Sequence, residues 1–297
     1  MKQRAHPFPS ARLVIAIACS AVLATLFVAC TDDDDGTATT GSTTAAPTST
    51  PGGTTSAPEP IGADASLVYF SRGEHLAAAG RETPEGASAL EPALRAVLSG
   101  PSAFERDDAD LDSSVPEGST LHRATITGSL ATVDLSSEFE TGGGSLSMRM
   151  RVAQIVYTAT EIAGVERVTI TIDGESESGL GGEGVDVEAV DRSAFDDLLP
   201  PILVQRPVPG QRIERELEVS GLANVFEGTV SIEVLDADGE IVARGFGTGA
   251  MGEWRPYEAT LTIPAEVEGE VTVRCYEESA ENGSRLHVVE VPVTLAA

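Results

Sequence analysis

The distribution of apolar residues divides the chain into three zones. An almost uninterrupted apolar run fills residues 13–29, and residues 30–62 then carry almost no large apolar side chain. From residue 63 onward, apolar positions recur with the periods of folded elements. Leu67, Val68, Tyr69 and Phe70 form a short continuous run that predicts a buried strand. Leu90, Leu94, Val97 and Leu98 follow helical spacing, with Pro92 in the first turn and Gly100-Pro101 as the stop. Ala124 and Ile126 alternate with threonines, and Ala131, Val133 and Leu135 alternate in turn. Gly128-Ser129 between them predicts a two-residue hairpin loop with glycine first. After Gly142-Gly143-Gly144, the residues Val152, Ile155, Val156, Ala159 and Ile162 draw one helical stripe, with Gly164 at its end. Val168, Ile170 and Ile172 predict a strand that stops at Asp173-Gly174. The order strand, helix, hairpin, helix, strand makes an α+β domain over 63–198, a small mixed sheet with two helices on one face. Residues 175–199 read as its irregular tail and a linker.

Beyond Pro200-Pro201 every period is that of a strand. Leu217 and Val219, then Val230, Ile232 and Val234, alternate with polar residues, and Asp238-Gly239 turns the chain into Ile241-Val242. Tyr257, Ala259, Leu261 and Ile263 alternate, as do Val271, Val273 and Cys275, and finally Val289, Val291, Val293 and Leu295. Short strands with regular turns predict an all-β immunoglobulin-like sandwich over 199–297. Cys275 falls on the inward phase, as a small buried hydrophobe.

Charge narrows the function. The chain of 297 residues has a formal net charge of −28. Such a surface repels phosphate backbones and excludes nucleic-acid binding. Of the three cysteines, Cys19 lies within the apolar run and Cys275 within a strand, so no disulfide is expected.

The third, Cys30, is different. Lys2, Arg4 and Arg12 precede the apolar run, which ends Leu26-Phe27-Val28-Ala29-Cys30. This resembles a bacterial lipobox, although Phe27 stands where leucine is usual. The resemblance implies a lipoprotein signal peptide over 1–29 and diacylglycerol on Cys30, a lipid-attachment site. Each buried CH₂ contributes about 0.8 kcal/mol, so two acyl chains hold where one detaches. An uncleaved signal anchor would also leave the rest of the chain outside. Residues 30–62 open with four acids at 32–35 and continue in Thr, Ser, Pro, Gly and Ala. Without apolar residues to offset ordering entropy, they read as a disordered tether, reaching on the order of 30 Å.

Further motifs carry a family likeness. Ser99-Gly100-Pro101, Val115-Pro116 with Gly118, Ala131-Thr132-Val133-Asp134-Leu135-Ser136, the triple glycine, and Gln154-Ile155-Val156-Tyr157-Thr158 with Gly164-Val165 occur in this order. Together they resemble the GerMN domain of sporulation and spore germination. Pro207-Val208-Pro209-Gly210, Val219-Ser220-Gly221, Ala223 with Val225-Phe226-Glu227-Gly228, and Glu278-Ser279-Ala280 are similar to the immunoglobulin-like domain of bacterial spore germination, the Gmad family. The resemblance implies an extracytoplasmic, often lipid-anchored module without established catalysis, some of whose relatives assemble into rings.

The residues themselves offer little chemistry. His75, His122 and His287 are scattered, without the spacing of a zinc motif. No nucleophile elbow or phosphate loop occurs, and Gly142-Gly143-Gly144 has no accompanying P-loop lysine. Asp134 and Glu138 could serve a glycosidase if suitably spaced, but a strand-end aspartate more often caps backbone groups. Trp254 and Tyr257 could stack on a sugar or anchor a loop. The expectation is a non-enzymatic membrane-anchored lipoprotein on the extracytoplasmic face, with no catalytic residues, metal or cofactor. Its partners would be the membrane, through the anchor, and an envelope protein or further copies of itself. The alternative is a protein that binds or hydrolyses wall glycan.

Overall fold

The computed structural model describes residues 61–62, 65–176, 179–180 and 184–296. The signal peptide, Cys30 and nearly all of the expected tether lie outside the described residues.

The first domain opens with an antiparallel hairpin, β1 (Ser66–Arg72) and β2 (His75–Arg81), which forms a two-stranded sheet of its own. Both strands are buried along most of their length. The sequence does not announce β2, because Leu76-Ala77-Ala78-Ala79-Gly80 neither alternates nor contains β-branched residues. Two helices follow: α1 (Leu90–Leu98), with Pro92 in its first turn as expected, and α2 (Ala103–Asp107). The latter starts with a capping box, in which the Ser102 side chain and the Glu105 backbone N–H, and the reverse pair, satisfy each other.

The second sheet runs in the order β3 (Leu121–Thr127), β4 (Leu130–Leu135), β5 (Arg167–Ile172) and β6 (Glu175–Ser176). The pair β3–β4 is the expected hairpin, and β4 and β5 are parallel, joined through α3 (Ser145–Ala159). Alternation delivers Ala131, Val133 and Leu135, with Val168, Ile170 and Ile172, to one buried face. Helix α3 is buried almost all round, and not along a single stripe. Gln154 and Thr158 are buried because they serve the open edge of β1. The Thr158 hydroxyl accepts from the Tyr69 N–H at 3.0 Å, and the Gln154 amide donates to the Tyr69 carbonyl at 3.3 Å. A strand edge that faces a helix thereby keeps its hydrogen bonds.

Among the described residues, 175–199 are not a loose linker. Val190 bridges Val168, and Leu180, Val187, Phe195 and Leu198 are buried in the first core.

The second domain is a sandwich. One sheet has the order β11 (Ile241–Thr248), β10 (Thr229–Leu235), β13 (Glu270–Glu278), β14 (Arg285–Leu295) and β8 (Arg212–Ile213). The other has β12 (Arg255–Thr262), β9 (Glu216–Ala223) and β7 (Ile202–Arg206). Val230, Ile232, Val273, Cys275 and Val291 meet Leu217, Val219 and Tyr257 between them.

Strand β7 joins the two cores. Ile202 and Val204 point into the sandwich, while Leu203 belongs to the core of the first domain. Ile61 also ties the two parts, since it forms a parallel bridge with Gln211 before the chain turns into β1.

Candidate functional site

The junction of the domains is built where β2 approaches β7 and β14. Gly80 of β2 permits a close approach to Ile61 and to the segment just after β7: a Cβ there would stand 2.7 Å from a methyl carbon of Val208 and 3.0 Å from one of Ile61. On one side a polar cluster crosses the junction. The Gln205 amide donates to the Tyr69 hydroxyl at 2.6 Å, which donates to Glu161 at 2.8 Å. Arg192 donates to the same Glu161 oxygen at 2.5 Å, to the Tyr157 carbonyl at 3.0 Å and to the Thr160 hydroxyl at 2.7 Å. Its guanidinium lies 4.8 Å from the centre of the Tyr157 ring, and the Tyr69 and Tyr157 rings meet edge to face at 5.2 Å. Burial and the neighbouring Glu161 carboxylate push the Tyr69 hydroxyl well above its ordinary range, despite Arg192. Burial does the same to Tyr157. Neither phenol is therefore an acid or base at neutral pH, and the cluster reads as a fastening.

On another side of the junction lies a cavity of about 220 Å³. Leu76 and Ala78 of β2, Ile202 and Val204 of β7, and Val289 and Val291 of β14 give it an apolar wall. Arg72, His75 and His287 also line it. Arg72 is fixed by two hydrogen bonds to the Ala109 carbonyl, at 3.1 and 2.8 Å. Burial lowers its pKa, and Asp110 opposes that shift. His287 has φ of +52°, a left-handed conformation in a strand. Cys275 pairs with Val289 and Glu277 with Leu286, so His287 and Val288 together face the single residue Tyr276. Such a bulge re-aims a side chain. Glu277 lies 3.7 Å from His287 Nε2.

Residues 67–178 match the family described as sporulation and spore germination, and 201–284 match the immunoglobulin-like domain of bacterial spore germination. The chain couples a GerMN domain to an immunoglobulin-like germination domain. The first GerMN domain of the sporulation protein GerM from Bacillus subtilis is 19% identical, over 43% of this chain and 98% of that one, with a TM-score of 0.37. The tandem GerMN domains of the same protein are 14% identical over 67% of this chain and 61% of theirs, at a TM-score of 0.38. A Clostridium perfringens protein described as a lipoprotein is 19% identical over 43% of this chain and 86% of its own, at 0.32. No curated protein matches the chain. The two matched families are described as sporulation and spore germination domains.

The residues singled out in the sequence have structural employment. In the GerMN domain, one oxygen of Asp134 accepts from the Thr171 hydroxyl at 2.8 Å and the Gly174 N–H at 2.7 Å, so it caps the turn after β5. His122 lies 3.7 Å from Asp134 and from Asp173. Glu138 is held below its ordinary pKa, chiefly by a hydrogen bond with Ser136. The triple glycine serves buried Arg151, whose guanidinium donates to the carbonyls of Phe139, Thr141 and Gly142 at 2.6, 3.0 and 3.0 Å. A Cβ on Gly143 would stand 2.9 Å from that guanidinium. In the immunoglobulin-like domain, Trp254 packs against the GerMN core and donates to the Pro200 carbonyl at 3.0 Å. Tyr257 is buried beside Cys275, whose thiol is pushed up to about 12 by burial. Among the described residues, no group of three or more His, Cys, Asp or Glu is placed to hold a metal ion.

Sequence reasoning missed the cavity and the fastening. The cavity depends on which residues of β1, β2, β7 and β14 meet across the junction, and the fastening on Tyr69 of β1 meeting Glu161, Arg192 and Gln205; periodicity carries no such register.

Proposed function

We propose that the protein is a non-catalytic module of the cell envelope. It is anchored outside the membrane through lipid on Cys30 and acts by binding a partner protein. The observation that carries the binding reading is an exposed apolar trio on the immunoglobulin-like domain. Phe226, Phe246 and Met251 are 54%, 69% and 65% exposed. The loops bearing Phe226 and Met251 are joined by the Val225 N–H donating to the Ala250 carbonyl at 2.9 Å. Phe246 lies on β11, whose end pairs with the start of β10 three residues beyond Phe226. Exposed aromatic and methionine side chains carried on neighbouring segments are a common anchor for a protein interface. The lipid anchor rests on the apolar run before Cys30. Among the described residues, no helix is long and apolar enough to cross a membrane.

A photo-crosslinking residue placed at position 246 of the full chain, in membranes of the producing cell, tests the reading. A discrete protein adduct, lost when Phe226 and Met251 are both changed to Asp, is the expected result. Capture of wall polymer alone, reduced by Trp254→Ala, would replace the partner protein with a glycan. Release of the chain from membranes with Cys30 unmodified would overturn the anchor.

A further inference from the structure

We propose that the cavity at the domain junction is a binding site for a small aliphatic monocarboxylate. The inference stands apart from the partner-protein reading, since it concerns a different face and a different ligand.

Size comes first. An apolar cavity of about 150 Å³ takes a benzene-sized body, so one of about 220 Å³ takes a short alkyl chain together with its head group. Polarity fixes which end goes where. The wall made by Leu76, Ile202, Val204, Val289 and Val291 offers an alkyl chain only apolar contact. Arg72, His75 and His287 are the charged or titratable side chains that line the space.

Charge fixes the sign of the head group. The chain has 47 acidic residues against 19 Lys and Arg, yet no acidic side chain lines this cavity. The groove on the outer face of the large sheet makes the contrast. Two arginines line it, but Arg285 and Arg244 lie 2.8 and 3.6 Å from the buried Glu233, which lines it too, and are engaged there. At the junction, Arg72 donates its hydrogen bonds to a neutral carbonyl while Asp110, which does not line the cavity, acts on it only through its charge, and Glu277 stands near one of the two histidines. The Arg72 guanidinium and the N–H groups of the two imidazoles are the donors this lining offers to an incoming anion.

Strain is the third, independent observation. His287, an exposed residue, keeps φ of +52° at a bulge. Left-handed non-glycine residues at bulges gather where a side chain must be aimed. Here the bulge places His287 on the cavity lining.

The test is calorimetric titration of the full chain with hexanoate, hexan-1-ol and hexylammonium. One saturable hexanoate site is expected, roughly millimolar or tighter. Hexanol should bind at least about tenfold more weakly, and hexylammonium more weakly still. Val289→Phe and, separately, Ala78→Leu should fill the space and abolish hexanoate binding. His287→Gln leaves the apolar wall intact and should narrow the preference for hexanoate over hexanol. Equal affinity for hexanoate and hexanol would overturn the assignment of the head group. No saturable hexanoate binding, or binding that survives whichever filling variant folds, would overturn the site.

Discussion

The hydroxyl of Tyr69, in the first strand of the GerMN domain, accepts a 2.6 Å hydrogen bond from Gln205, in the first strand of the immunoglobulin-like domain. The same hydroxyl donates to Glu161, so one buried group spans three segments far apart in the sequence. The two domains should consequently unfold together. Tyr69→Phe leaves the Gln205 amide without this acceptor and should lower stability by about 1–2 kcal/mol. A double-mutant cycle with Gln205→Ala should return a coupling of roughly 0.5–1.5 kcal/mol. Two separate thermal transitions, only one of them moved by Tyr69→Phe, would refute the fastening.

Arg151 makes a second prediction. Its charge is almost fully buried and its hydrogen bonds run to carbonyl oxygens of the 139–142 turn. Burial lowers its pKa. Arg151→Met removes a costly desolvated charge but strips those carbonyls of their donor. The Thr141 and Gly142 carbonyls belong to exposed residues and can turn to water, whereas Phe139 is buried. The net loss should be about 2 kcal/mol, with faster amide exchange across 139–144. Arg151→Lys keeps the charge without the planar fork and should recover only part. An unchanged denaturation midpoint in Arg151→Met would show that the turn is held by other contacts.

Alkaline pH gives the third. Burial raises the Cys275 thiol from 9.0 to about 12, so the folded state favours its protonated form. Its contribution is fully present below pH 9, where the unfolded thiol also keeps its proton. Stability should then fall by about 1.4 kcal/mol per pH unit as pH rises toward the folded value. Tyr69, Tyr157 and Tyr257 are raised from 10.0 in the same sense and steepen the loss above pH 10. Denaturant midpoints measured in steps from pH 8 upward should show this, with Cys275→Ala flattening the first part. A thiol reagent that labels Cys275 in the folded protein below pH 9 would contradict it.

Most of the architecture is legible because burial imposes its period on the chain. The alternation at Val168, Ile170 and Ile172, and at Val230, Ile232 and Val234, states both the strand and its inward face. Where two faces are buried, that signal disappears. Strand β2 is covered on both faces and is built of alanine, so close approach takes the place of alternation. Helix α3 conceals its role for a related reason, since Gln154 and Thr158 look like the solvent side of a stripe but serve a strand edge. Helix α2 was open to a closer reading, because Ser102 with Glu105 three residues on is a capping signal. The family likeness needed only local motifs, and the matches at 67–178 and 201–284 bear it out. No local signal marks the cavity, whose lining is drawn from β1 and β2 of one domain and β7 and β14 of the other.

The parallel bridge between Ile61 and Gln211 has a mechanical side. The Arg212 N–H donates to the Ile61 carbonyl at 2.9 Å, and Ile61 donates in turn to Gly210 at 3.3 Å. A pull arriving along the chain from residue 60 meets this clamp on the immunoglobulin-like domain before it reaches the GerMN hairpin. The GerMN hairpin thus cannot be peeled from its N-terminal side until the bridge from Ile61 to the edge of the immunoglobulin-like domain has given way.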